Sequence, residues 1–401
     1  MAASHDASDF VVADDIRVAE TLPAAAFRDR DFLALELATL FPRRWQLVPD
    51  PATVDPSSDP RPIAELCSAR GARLPFSLLG RPLFLQRGWD DTTLRCFSNA
   101  CTHAWYPLVA GPSRGPTLVC GQHGRKFDCA GRFVAHAGFS GLPDFPRDCD
   151  HLRELDVASW QQLTFVRDRA AATAAAATAT SAAASLEHIL TELVASTAQL
   201  PLATLRRSRA VAESREVAGN WKQHVWNYMD RYHVGFIHRA PGGLADACDM
   251  SSYQTELHDH AALQWVYARR PEDGFDPALL PDRFRDPGGR RVFALWWLLF
   301  PNLALNFYPW GLSINVFEPI PERPDSTLFR WYHLVLDDAL HARREDSWLV
   351  NQVDAEDLDA MAQVRRSLRE PHLPRGRFAP LEETGPHWFH RQIYRALFAS
   401  T

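Results

Sequence analysis

The chain has 401 residues and a formal net charge of −6, with no run of basic residues, so it lacks the electrostatic footprint of a nucleic-acid-binding protein. No stretch approaches the length of a membrane span, and the N-terminus lacks the basic and apolar regions of a secretory signal. Seven cysteines, an odd number, fit a reducing compartment better than a disulfide framework, and we expect a cytoplasmic protein.

The sequence pattern predicts four segments. Residues 1–44 contain a helical stretch, Asp31–Phe41, that ends before Pro42 and is expected to dock on the larger domain. Residues 45–168 show short alternating runs typical of a small all-β domain. An Ala-rich connector spans 169–186, and a mixed α/β domain occupies 187–401.

A paired Cys/His motif lies in the predicted β domain: Cys101-Thr-His103, then Cys120-Gly-Gln-His123. Two thiolates and two imidazoles at this spacing are typical of a Rieske [2Fe–2S] cluster, in which cysteines hold one iron and histidines the other. A structural zinc site uses the same ligand types and is the alternative. The neighbouring glycines and phenylalanines, which permit tight loops and supply apolar cover, favour the cluster.

These motifs, followed by Phe127-Asp128 and Gly131-Arg132, resemble the cluster motif of Rieske-type non-haem iron oxygenases, α subunits of the aromatic ring-hydroxylating and choline–carnitine branches. The stretch from Asn220 to His238 resembles the family's catalytic domain. The resemblance implies an α+β fold, with a small all-β Rieske domain and a larger helix-grip (START-like) domain built on an antiparallel sheet. It also implies a mononuclear iron held by His233, His238 and a carboxylate from the segment Glu356–Met361.

The sequence departs from the family pattern beside the cluster. Ala104-Trp105 stands where the family commonly has Arg-Gly, and Arg125 replaces a common aromatic residue. Neither change removes a ligand. Both alter the surroundings that tune the reduction potential.

The position of Asp357 on a helix supports its choice as the carboxylate ligand. A helix over residues 349–368 places Asp357 in the middle of an apolar stripe, with Asp354 at its edge and Asp359 on the opposite face. A carboxylate buried among aliphatic side chains needs a cation. A metal is the favoured cation, and an arginine is the alternative.

The two histidines are five residues apart, so an unbroken helix would not bring their side chains together. We expect the helix to bend between them at Gly235. His233, His238 and Asp357 would then form a facial triad with open positions for dioxygen. A pair of core histidines is the alternative interpretation.

The resemblance assigns Asp230 as the bridge between the cluster and the iron, and a carboxylate can accept a hydrogen bond from each centre's histidine. By the same resemblance, the two cooperating centres belong to neighbouring subunits of a homotrimer. Because no dinucleotide-binding motif is visible, electrons from NAD(P)H must arrive through a separate reductase or ferredoxin.

The reaction implied is hydroxylation of a small organic substrate with dioxygen, with an aromatic compound favoured. A quaternary ammonium compound of the choline, betaine or carnitine type is the alternative substrate. Tyr308 and Trp310 are candidate pocket residues that would serve either class, or the core. A catalytically inactive electron-transfer protein and a zinc-binding module are the other functional classes considered.

Overall fold

The computed structural model describes residues 6–55, 58–59, 61–171, 184–238, 243–345 and 349–398, so most of the expected Ala-rich connector lies outside the described residues. The chain divides into two compact units. The larger comprises the described residues of Met1–Phe41 and Thr178–Thr401, and the smaller those of Pro42–Ala177.

The N-terminal segment contains two short helices instead of one. Helix α1 (Ala25–Arg28) ends at Asp29, whose backbone is extended and whose side chain accepts a hydrogen bond from the Asp31 amide at the start of α2 (Arg30–Leu35). A π turn (Glu36–Leu40) and a 3-10 turn (Phe41–Arg43) follow. The helical region therefore continues through Pro42, contrary to the expected end, because a proline near the start of a turn loses no hydrogen bond.

The smaller unit is mainly β-structure and also contains a short helix, α3 (Ile63–Leu66). Its strands are β1 (Gln46–Leu47), β2 (Ala72–Leu78), β3 (Arg81–Arg87), β4 (Leu94–Ser98), β5 (Ser113–Arg114), β6 (Thr117–Val119), β7 (Lys126–Asp128), β8 (Phe133–Ala135), β9 (Glu154–Trp160) and β10 (Leu163–Arg167). They form a seven-stranded sheet in the order β1-β10-β9-β4-β3-β2-β5 and a three-stranded sheet in the order β6-β7-β8.

Strand β3 separates two hydrophobic clusters because alternate side chains point to opposite faces of a strand. Leu83 and Leu85 belong to one cluster, and Phe84 between them belongs to the other. The second cluster also contains Cys101 and Cys120. The cysteines of the paired motif are thus anchored on an apolar base.

The larger unit is an antiparallel sheet covered by helices. Its strands are β11 (Arg206–Ala218), β12 (Gln254–Leu257), β13 (Ala261–Tyr267), β14 (Val292–Leu299), β15 (Leu303–Tyr308), β16 (Gly311–Ile320) and β17 (Arg323–Val335). Its later helices are α4 (Leu186–Ile189), α5 (Thr191–Ser196), α6 (Trp221–Met229), α7 (Val234–Ile237), α8 (Leu244–Ala247), α9 (Asp338–Glu345), α10 (Leu349–Ser367) and α11 (Thr384–Phe398). Strands β12 to β17 pair in sequence, and β11 pairs with β17 at the edge.

Two helices of this unit matter for the site. Helix α6 packs on β16 and β17, and helix α10 packs on β11 and contacts α6. All eight residues of β14 are buried. Their alternation points Trp296 and Trp297 to opposite faces of the sheet, where they donate hydrogen bonds to Tyr308 Oη and Ser196 Oγ respectively.

Candidate active site

A cavity of about 460 Å³ lies against the sheet of the larger unit. Directly paired residues of neighbouring strands point to the same face, so one cross-strand row supplies much of its wall. This row consists of Gln264, Trp296, Asn306, Ser313 and His333. The neighbouring rows add the pairs Asn315–Trp331 and Phe317–Phe329.

His233, His238 and Asp357 converge at this cavity and could together hold a metal ion. Oδ1 of Asp357 lies 3.0 Å from Nε2 of His238 and 3.5 Å from Nε2 of His233, and the two Nε2 atoms are 3.2 Å apart. Oδ1 of Asp357 is buried without a hydrogen-bond partner among the described residues, as expected for an atom that binds a cation. Two imidazoles and one carboxylate suit non-haem Fe(II).

The backbone reaches this arrangement by a route that differs from the expected bend at Gly235. Helix α6 begins with a capping box in which Asn220 and Gln223 exchange hydrogen bonds, and it ends before Asp230, whose backbone is extended. His233 and His238 then flank α7, a single turn. The break therefore precedes His233, and a residue on each side of one short turn brings the two imidazoles together.

Each histidine has a carboxylate near its other ring nitrogen. Nδ1 of His238 lies 2.7 Å from Oε2 of Glu356, and Nδ1 of His233 lies 3.5 Å from Oδ2 of Asp230. Burial lowers the pKa of His238, but the Asp357 and Glu356 carboxylates outweigh it and raise the pKa. The sequence did not predict Glu356 as a partner of His238. Its position next to Asp357 on α10 could have indicated that it lies close to the same histidines.

In the smaller unit, the loops carrying Cys101 and Cys120 share one backbone pattern. Each cysteine amide donates a hydrogen bond to the carbonyl five residues later, and each cysteine carbonyl accepts one from the amide four residues later. The fourth residue has a positive φ in both loops, 58° at Trp105 and 71° at Gly124. The two loops are therefore equivalent turns, one with glycine at the left-handed position and the other with tryptophan.

These loops bring the four expected cluster ligands together. The ring centroids of His103 and His123 are 4.9 Å apart, and both histidines are exposed, whereas both cysteines are buried. Burial raises the pKa of the Cys101 thiol, and a hydrogen bond with Cys120 raises it further. Two buried thiols and two exposed imidazoles are the donor set of a Rieske cluster.

Arg125 links the two ligand loops through Asp150. Its guanidinium is buried, donates a 2.7 Å hydrogen bond to Asp150, and lies 5.0 Å from the centroid of the Phe133 ring. The Asp150 carbonyl in turn accepts a hydrogen bond from Thr102, which stands between Cys101 and His103. The arginine that replaces the family's aromatic residue is thus part of the framework that holds both ligand loops.

The wall of the cavity also carries charged groups. Glu213, Arg215 and Asp354 line it in addition to Asp230 and Asp357. Desolvation and the charge of Asp357 raise the pKa of Asp354 to about 7, although Arg215 opposes the shift. Four carboxyl groups and one arginine therefore line the cavity, so acidic side chains outnumber the arginine.

Tyr308 and Trp310, the candidate pocket residues, both line the cavity. Their rings stack with centroids 5.3 Å apart. The ring centroids of Trp310 and His333 are 4.8 Å apart. Burial lowers the pKa of His333 to about 3, so this imidazole is neutral at pH 7.

Two family models match the chain. The model described as "Ring hydroxylating alpha subunit (catalytic domain)" matches residues 203–398, and the one described as "Rieske [2Fe-2S] domain" matches residues 62–146. The second match favours the cluster over the zinc alternative.

Similar proteins match over nearly the whole chain. The chloroplastic choline monooxygenase of Arabidopsis thaliana is 26% identical over 390 residues, which are 94% of this chain and 83% of the relative. The structure of the quaternary ammonium Rieske monooxygenase CntA with L-carnitine superposes with a TM-score of 0.69 at 19% identity, over 94% of this chain and 96% of that one. Naphthalene 1,2-dioxygenase with bound indole gives 0.66 at 17% identity, over 95% and 94%.

No helix among the described residues is both long and apolar enough to cross a membrane. The two family matches account for both halves of the expected architecture and for the cofactor of each. The chain belongs to the Rieske oxygenases, oxidoreductases that incorporate molecular oxygen with a [2Fe–2S] cluster, a mononuclear non-haem iron and electrons from a reductase or ferredoxin.

Proposed function

We propose that this oxygenase acts on an organic cation, a quaternary ammonium compound or a related amine. The acidic wall of the cavity carries the proposal: Asp354 and Glu213 accompany the rings of Phe317, Phe329 and Trp331. Carboxylates and aromatic faces both attract a cation, and burial strengthens the attraction. This choice reverses the preference for an aromatic substrate that the sequence favoured, and it accords with the relatives named for choline and carnitine.

We further propose the ligands of both cofactors. Cys101, His103, Cys120 and His123 hold the [2Fe–2S] cluster, and His233, His238 and Asp357 hold the iron. The bound iron supplies dioxygen activation, and the cluster supplies electrons one at a time. The protein's own contribution is orientation: Glu356 fixes the tautomer of His238 by accepting a hydrogen bond from Nδ1.

Asp230 is the proposed bridge to the cluster. One of its oxygens accepts a hydrogen bond from the Tyr232 amide at 2.7 Å, which holds the carboxylate beside His233. The other oxygen faces Nδ1 of His233 at 3.5 Å. A homotrimer, in which a neighbouring subunit supplies the cluster histidine, and a cytoplasmic location remain predictions.

An aromatic hydrocarbon is the second candidate substrate. Phe293, Trp296 and Val234 give part of the cavity an apolar wall, and naphthalene 1,2-dioxygenase shares the fold. The two classes differ in charge, so the carboxylates distinguish them.

The test is a single turnover of the reduced, iron-loaded protein with dioxygen and either trimethylammonium compounds or naphthalene, analysed by mass spectrometry. We expect oxidised ammonium product, and in Asp354→Asn an increase of about tenfold or more in the concentration of ammonium substrate that gives half-maximal product, the size of one lost charge contact. Asp359→Asn, on the exposed side of the same helix, is the matched control. Product from naphthalene alone would overturn the proposal.

A further inference from the structure

Arg215 differs from Arg206 on its own strand and from Arg323 on the paired strand, which both form ion pairs. On the same strand Arg206 pairs with Asp338, and the neighbouring Glu216 pairs with Arg323. Among the described residues Arg215 forms no ion pair. Its guanidinium carbon instead lies 4.8 Å from the centroid of the Trp331 ring.

The register of the sheet directs Arg215 towards the cavity. Arg215 pairs directly with Phe329, which pairs directly with Phe317, so the three side chains share one face. All three line the cavity, and Arg215 is an exposed residue. Its donors are therefore available to a molecule in the cavity.

Contact with Trp331 suits a ligand-binding role. A guanidinium stacked on an indole is restrained in orientation, and its planar set of N–H donors matches a carboxylate with two parallel hydrogen bonds. Asp354, on the facing helix, feels the charge of Arg215 but forms no ion pair with it among the described residues. Arg215 and Asp354 therefore both line the cavity, and the guanidinium of Arg215 is not neutralised by an ion pair with Asp354.

We infer that Arg215 is an anion subsite and that the preferred substrate is a zwitterion, with an ammonium group bound at the acidic and aromatic wall and a carboxylate bound by Arg215. This inference rests on the proposed function and narrows it. Cations without an acid group, such as choline, would bind more weakly than trimethylammonium acids of suitable length.

The experiment measures Kd by calorimetry on the intact holoenzyme. The ligands are ω-trimethylammonio acids with chains of two to five carbons and the matched alcohols, which keep the cation and lose the anion. For at least one length we expect the acid to bind about 10- to 100-fold more tightly than its alcohol, the usual effect of a charged hydrogen-bonded pair.

Variants assign the preference to the residue. Arg215→Gln is expected to abolish the preference for the acid and to leave the Kd of the alcohol within about threefold, and Arg215→Lys to retain part of it. Arg206→Gln, on the same strand but outside the cavity wall, is the matched control with unchanged Kd values. If Arg215→Gln does not fold, the wild-type comparison and Arg215→Lys still decide.

The outcomes separate this inference from the proposed function. Equal Kd values for acids and alcohols at every length would overturn the inference and leave the oxidation of organic cations standing. A preference for acids that persists in Arg215→Gln would overturn the assignment to Arg215. Absence of binding and turnover for every cation would overturn the proposed function and the inference with it.

Discussion

The ammonium nitrogen of Lys222 lies 2.8 Å from Oε1 of Glu36, and both side chains are completely buried. Oε2 of Glu36 also accepts hydrogen bonds from Lys222 and from the indole of Trp221, each at 3.0 Å. The pair joins the N-terminal segment to helix α6, whose end leads to the histidines of the proposed iron site. One of the chain's two lysines therefore has a structural role.

Replacing one member of this pair should destabilise the protein. Lys222→Met leaves the Glu36 carboxylate buried without a cation, and we expect the free energy of unfolding in urea to fall by about 3–5 kcal/mol. Lys126→Met, at the chain's other lysine, which is exposed, should change it by less than about 0.5 kcal/mol. Adding Glu36→Gln to Lys222→Met should restore most of the loss. A double variant as unstable as the single one would contradict this account.

Trp105 should store backbone strain. A side chain at positive φ costs about 1 kcal/mol or more, and glycine does not carry this cost. We expect Trp105→Gly to raise the unfolding free energy of the cluster-loaded protein by about 0.5–1 kcal/mol, followed through loss of cluster absorbance. Trp105→Ala removes the exposed ring but keeps the strain, so it should give no gain. Equal stabilisation by both variants would attribute the effect to the ring.

Glu356 should control metal retention. Its hydrogen bond to Nδ1 of His238 leaves Nε2 free to bind iron, so Glu356→Gln is expected to weaken iron binding by about 10- to 100-fold. Competition with a chelator measures the affinity directly. Asp359→Asn, exposed on the same helix, should retain wild-type affinity. Unchanged affinity in Glu356→Gln would show that the helix alone positions His238.

His390 should make the larger unit sensitive to acid. Burial lowers its pKa from 6.5 to about 3, and its Nδ1 accepts a hydrogen bond from the Leu22 amide. Between these pH values the unfolded chain binds a proton that the folded chain does not, so stability present above pH 6.5 is lost as the pH falls towards 3. The slope attributable to this residue is at most about 1.4 kcal/mol per pH unit.

His390→Asn tests this contribution. Its unfolding free energy, measured in urea from pH 7 to pH 4, should depend on pH less steeply than that of the wild type. The difference in slope is the informative quantity, because other buried histidines, such as His333, contribute equally to both proteins. Identical slopes would exclude His390 as an acid-sensitive group.

The sequence was informative wherever function depends on residues close together in the chain. The motifs at Cys101 and Cys120 predicted the cluster loops, and the short alternating runs of residues 45–168 predicted the all-β unit. The position of the helix break was wrong. Gly235 indicated flexibility, but an extended residue at Asp230 had already ended the helix.

Contacts between distant segments could not be predicted in this way. Glu36 and Lys222 are 186 residues apart, and nothing in either local pattern indicates the other. The same holds for Arg215 and Trp331, which are in contact because β17 returns to pair with β11. Strand order and register determine such neighbours, and neither can be read from hydrophobic periodicity.

The residues of the cross-strand row described above line the cavity, and they are different from the residues that would hold the iron. The proposed iron ligands lie on α10 and around α7, whereas Asn306 and Ser313 lie on strands whose main-chain hydrogen bonds do not depend on the side chain. A mutation on the strands can therefore alter what the enzyme accepts without disturbing how it handles dioxygen. Such a chain can acquire new substrates in single steps during evolution, and the same strand positions are the natural place to begin its redesign.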